Sequence, residues 1–100
     1  MKSVLILGGS GFVGSALVPK LLEANIKTSL LNRGTRSIPG THQFNGDRNN
    51  LVAPPGLDSR YDAIIDTSCY TLKQARLAYE LLGTRAALWI NLSSRWREIN

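Results

Sequence analysis

The chain has 100 residues, with 12 Lys and Arg against 7 Asp and Glu, one His and one Cys, for a net charge of +5. At 43% hydrophobic and 19% charged residues it is not a disordered polyelectrolyte, and its length makes one domain at most. The single Cys69 excludes an intrachain disulfide and a cysteine-built zinc site, and the lone His42 leaves any serine–histidine or cysteine–histidine catalytic pair unsupported.

The first strand is predicted over Ser3–Leu7 (SVLIL), a short apolar run that ends in glycine and reads as buried on both faces. Its apolar stretch is too short for the ~7–15 residues of a signal peptide core, and nothing in the chain nears the ~20 of a membrane span. A cytoplasmic location, with no membrane partner, is therefore expected. A helix is predicted from Gly11 to about Ala24, with Val13, Leu17, Leu21 and Ala24 as its apolar stripe and Ala16 on the same side. Pro19 removes an amide inside it and predicts a kink or loosened turn, and Asn25 is a natural stop.

The second strand is predicted over Lys27–Asn32 (KTSLLN), followed by a loop over 33–40 and a short third strand over His42–Asn45. One or two helical turns fit 47–52, before Pro54-Pro55-Gly56 breaks regular structure. A fourth strand is predicted over 61–67 (YDAIIDT). Thr71 caps a helix over Leu72–Leu82 whose buried stripe is Leu72, Ala75, Tyr79 and Leu82, with Gly83 ending it as a C′ glycine. A fifth strand covers 86–92 (AALWINL), and Trp89 within it is expected in the core.

Strands alternating with helices across short loops predict an α/β three-layer sandwich. Its parallel sheet has about five strands in the order 3-2-1-4-5, with the topological switch between strands 1 and 4.

Chemistry concentrates in Gly8-Gly9-Ser10-Gly11-Phe12-Val13-Gly14, which joins the first strand to the first helix. Gly8 permits a tight turn, Gly11 lets a pyrophosphate approach the backbone, and Gly14 lets the helix lie close to the sheet. The helix N-terminus then faces the anion with its free amides and dipole. This strand–turn–helix context makes Gly8, Ser10, Gly11, Phe12 and Gly14 candidates for binding a dinucleotide in a Rossmann-type unit.

At the end of the second strand stand Asn32 and Arg33, with Arg36 close behind, and no acid occurs between Glu23 and Asp47. Guanidinium forks without a ribose-binding carboxylate favour NADP over NAD. The other arginines are scattered, with no basic run and no interleaved aromatics, so a nucleic-acid-binding protein is the weaker alternative.

The segment VLILGGSGFVGSALVPKLLEANIKTSLLNRG resembles the start of the NAD(P)-dependent epimerase/dehydratase group, within the extended or atypical short-chain dehydrogenase/reductase superfamily. Gly46-Asp47-Arg48 resembles that group's Gly-Asp motif, which implies an adenine contact for Asp47. Thr67-Ser68-Cys69 stands where family loops line the cofactor, and 90–94 (INLSS) resembles the fifth-strand segment ending in serines, of which Ser94 is the candidate catalytic serine. The resemblance implies an activity on a sugar nucleotide or small carbonyl compound.

Departures accompany it. The family's Tyr-x-x-x-Lys pair is absent, since Tyr61, Tyr70 and Tyr79 are followed four residues on by Ile65, Gln74 and Gly83. Arg95-Trp96-Arg97-Glu98 after Ser94 does not match either. The resemblance therefore implies a first lobe of a longer enzyme, binding cofactor without catalysing alone and taking a substrate only if the chain continues. A non-catalytic NADP-sensing or interaction domain is the alternative. No metal site is expected. Asp66, ending the fourth strand, is either a polar wall of the cleft or a loop-fixing carboxylate. The apolar fifth strand predicts a homo-oligomer through its edge.

Overall fold

A computed structural model of the chain describes residues 2–8, 12–32, 38–47, 51–67 and 71–92. Five strands form one parallel sheet: β1 (Ser3–Leu7), β2 (Lys27–Asn32), β3 (His42–Asn45), β4 (Ala63–Asp66) and β5 (Trp89–Asn91), in the order β3-β2-β1-β4-β5. Helices α1 (Phe12–Glu23) and α2 (Leu72–Leu82) complete the framework. The predicted topology and the bounds of the first three strands and of α2 agree with it.

The central strands carry apolar side chains on both faces because both faces are covered. Leu5, Leu7, Leu31 and Ile64 pack with Ala78 and Leu82 of α2. Val4, Ile6, Leu30 and Ile65 pack with Val18 of α1 on the other face. This is the three-layer arrangement, a helix on each side of the sheet.

The helix faces differ from the sequence expectation. On α1, Ala16 and Ala24 are exposed, and the packed face is Leu17, Val18, Leu21 and Leu22. Alanines are too short to mark a face, so the larger aliphatics decide the rotation. On α2 the face is Ala78 and Leu82 with Leu77 and Leu81, whereas Leu72 is 75% and Tyr79 57% exposed. The predicted stripe points partly past the sheet rather than onto it.

Helix ends follow local chemistry. α1 runs through Pro19 as one helix and stops at Asn25, whose φ is 61°. The Ile26 amide donates to the Leu21 carbonyl and the Asn25 amide to that of Leu22, both at 3.0 Å, which is a Schellman closure around a left-handed asparagine. The Thr71 hydroxyl accepts from the Gln74 amide at 3.1 Å, as predicted for an N-cap. Gly83 does not end α2 as a left-handed C′ glycine. Its φ is −60°, and a 3-10 turn, Gly83–Arg85, continues the chain.

The last two strands are shorter than predicted. Tyr61 makes only an isolated bridge to Ala86 before β4 begins, and β5 is confined to Trp89–Asn91. Trp89 is half-buried, packed against the α2-side core and edge-on to Tyr79 with ring centroids 5.3 Å apart. In the segment expected to turn helically, Asp47, Leu51 and Val52 are not helical, and 48–50 lie outside the described residues.

Candidate functional site

The carboxyl ends of β1 and β4 stop level with one another, and β2 runs one residue further. Leu7 pairs with Leu31 on one side and with Asp66 on the other, so Gly8, Asn32 and Thr67 each stand one residue beyond that line. Backbone bonds carry the ladder past the strand ends. The Gly8 amide donates to the Leu31 carbonyl at 2.9 Å, the Thr67 amide to Leu7 at 3.0 Å, and the Gly46 amide to Asn32 at 3.0 Å. The switch in strand order lies between β1 and β4, where open α/β sheets bind ligands.

Gly8 turns the chain off β1 with φ 83°, a left-handed conformation that favours glycine. The Thr67 hydroxyl reaches across from β4 and bonds the Leu7 carbonyl at 2.7 Å and the Gly8 carbonyl at 3.1 Å. The entry of the glycine turn is thus fixed both by backbone geometry and by a side chain from a distant strand. Gly14 is buried in the first turn of α1, consistent with close approach of helix and sheet.

Asn32 is 7% exposed, and among the described residues neither its Oδ1 nor its Nδ2 has a hydrogen-bond partner. Strand alternation puts it on the α1 face with Leu30. A buried polar group without a partner costs about 1–3 kcal/mol. It stands at the carboxyl edge of the sheet, beside the switch in strand order.

Gly46 brings the next segment into the same edge. A Cβ there would stand 2.8 Å from Leu31 Cδ1 and 3.3 Å from Leu51 Cδ1, so glycine lets the chain after β3 lie directly on the core. Asp47 follows it, exposed. Asp66 is fully buried at the end of β4, on the α2 face by its parity with Ile64.

Of the predicted residues, Gly8, Asn32 and Thr67 stand in one row, with Gly14 and Asp47 in the elements flanking it. Phe12 opens α1. Ser10, Gly11, Arg33, Arg36, Ser68 and Ser94 lie outside the described residues. Sequence reasoning had no signal that the Asn32 amide is orphaned, because that depends on what packs around it.

Tyr61 is placed away from this edge. It is buried ahead of β4, at the amino end of the sheet, and its hydroxyl accepts from the Asp58 amide at 3.0 Å. Among the described residues, no cluster of His, Cys, Asp and Glu could hold a metal, and no helix is long and apolar enough to cross a membrane.

The family model for the NAD dependent epimerase/dehydratase family matches residues 4–92. The chain belongs to that family. Its members bind a nicotinamide dinucleotide. Two solved structures show the epimerase/dehydratase fold seen here. Vestitone reductase from alfalfa (Medicago sativa L.) has a TM-score of 0.57 and 20% identity, covering 91% of this chain and 36% of that one. UDP-glucose 4-epimerase has a TM-score of 0.52 and 19% identity, covering 83% of this chain and 29% of that one. At these identities the likeness is one of fold, and this chain spans about a third of their length. No curated protein sequence matches the chain.

Proposed function

We propose that the chain is the cofactor-binding lobe of an NADP-dependent reductase, epimerase or dehydratase acting on a sugar nucleotide or small carbonyl compound. The observation that carries this reading is the buried, unpartnered Asn32 amide beside the left-handed Gly8 turn. An amide offers both donor and acceptor without negative charge, so it receives a ribose bearing a 2′-phosphate where a carboxylate repels it. Arg33 and Arg36 follow in sequence and add guanidinium forks suited to a phosphate.

In this reading Gly8, Ser10, Gly11, Phe12 and Gly14 receive the diphosphate at the start of α1. Asp47 contacts the adenine, and Thr67 and Ser68 form the wall on the β4 side. When bound, the cofactor supplies a nicotinamide that exchanges hydride. The chain's own part is to bind and orient it.

A second reading, a non-catalytic NADP-sensing domain, uses the same edge and the same Asn32 amide. Fluorescence titration tests cofactor binding in both cases, using the intrinsic signal of Trp89 and Trp96. NADPH is expected to bind at least tenfold more tightly than NADH. Tighter binding of NADH overturns the choice of cofactor, and binding of neither overturns the site.

A further inference from the structure

Asn45 ends β3 and is followed by Gly46, and no other asparagine of the sequence precedes a glycine. Asparagine is among the chemically labile residues, and a following glycine leaves its neighbouring backbone nitrogen unshielded by a side chain. Packing demands the glycine here. A Cβ at Gly46 would stand 2.8 Å from Leu31 Cδ1, so the position that lets the chain lie on the core also leaves Asn45 next to an open nitrogen.

The sheet decides where Asn45 stands. It pairs with Asn32 in the parallel register, one residue beyond the pairing of Phe44 with Leu31. Phe44 and Leu31 pack together in the α2-side core, so paired residues share a face. Alternation then sets Asn45 beside Asn32 on the α1 face, on strands about 4.8 Å apart. The Gly46 amide donates to the Asn32 carbonyl at 3.0 Å. While that bond holds, the nitrogen keeps its proton and its place in the ladder. Local opening of the strand end frees it.

We propose that Asn45–Gly46 is a site of spontaneous deamidation, restrained by the fold, whose product sets a carboxylate beside Asn32 and disfavours a cofactor with a 2′-phosphate. The Gly46 nitrogen loses its proton to solvent and attacks Asn45 Cγ. The new N–C bond closes a five-membered imide, the Cγ–Nδ2 bond breaks, and Nδ2 leaves as ammonia with a proton from solvent. Water then opens the imide at either carbonyl. One opening leaves aspartate. The other leaves isoaspartate, whose main chain is one carbon longer and lifts Gly46 from its contact with Leu31. Both place a negative charge next to the Asn32 amide, where it repels a phosphate. This last consequence rests on the reading of Asn32 given above. The chemistry at Asn45 does not, since it joins atoms of two consecutive residues and needs only water.

Mass analysis of the tryptic peptide 37–48, after incubating the 100-residue chain at mildly alkaline pH, tests the modification. Acid is expected at residue 45, formed at least about tenfold more slowly than in a synthetic peptide of residues 42–48, which lacks the bond to Asn32. Asn45→Gln would have to close a less favourable six-membered ring and is expected to stay neutral. Asn45→Asp supplies the product's charge directly and is expected to weaken NADPH binding about tenfold and NADH binding less. No acid above the Asn45→Gln control overturns the modification, and a rate equal to that of the peptide overturns the restraint. An equal fall for NADPH and NADH in Asn45→Asp overturns the effect on phosphate recognition. If the unmodified chain binds neither cofactor, the reading of Asn32 fails instead, and the mass measurement still decides the modification.

Discussion

The Thr67 hydroxyl bonds the Gly8 carbonyl at 3.1 Å while also holding the Leu7 carbonyl at 2.7 Å. Two segments separated by most of the chain thus meet where the glycine turn leaves the sheet. The Thr67 amide already bonds the Leu7 carbonyl, so the side chain adds the tie to Gly8. Thr67→Val keeps the shape and removes that tie. It is expected to cost about 1–2 kcal/mol in chemical denaturation and to weaken NADPH binding, while Thr67→Ser retains both. Unchanged cofactor affinity in the valine variant shows that this tie does not shape the site.

Asn32 separates stability from binding. Its amide is buried with no partner among the described residues, so Asn32→Leu, which keeps the branched skeleton of four side-chain heavy atoms, removes a desolvation cost without opening a cavity. The cofactor-free protein is expected to gain about 1 kcal/mol, which raises Tm by about 4–8 °C in a domain this size. NADPH affinity falls at the same time. A variant that loses stability and keeps its affinity assigns Asn32 a structural role instead.

At the amino end of the sheet, Lys27 Nζ lies 3.0 Å from Asp58 Oδ2, with both side chains 37% exposed. Solvent screens a pair this open, so Lys27→Met is expected to cost less than about 1 kcal/mol. Tyr61 beside it is buried in the α2-side core and bonds the Asp58 amide. Tyr61→Ala is expected to cost about 3–5 kcal/mol through the cavity it leaves. Urea denaturation of both variants checks the order, and a larger loss from Lys27→Met contradicts it.

The chain by itself is expected to bind cofactor and turn over nothing. Hydride transfer to a carbonyl needs a positioned proton donor, and no Tyr-x-x-x-Lys pair supplies one. Incubating the 100-residue chain with NADPH and a panel of aldehydes and ketones should give the rate of the protein-free control. Steady NADPH consumption above that control means another residue donates the proton.

The sequence alone determined the order of strands and helices, the extent of the first three strands, both helix-end residues Thr71 and Asn25, and the turn off β1 at Gly8. These depend on neighbours along the chain. A buried strand must be apolar, a first-turn amide needs a nearby oxygen, and a chain reversal needs a residue that tolerates positive φ. Only the tertiary structure decided which face of each helix is covered. Ala16 and Val18 are equally plausible core residues until the sheet approaches from one side, and Leu72 is buried or exposed according to how far the sheet extends beneath it. The orphaned amide of Asn32 and the tie from Thr67 to Gly8 were likewise invisible. Hydrogen-bond satisfaction belongs to groups brought together by folding, and no local pattern records which of them will lack a partner.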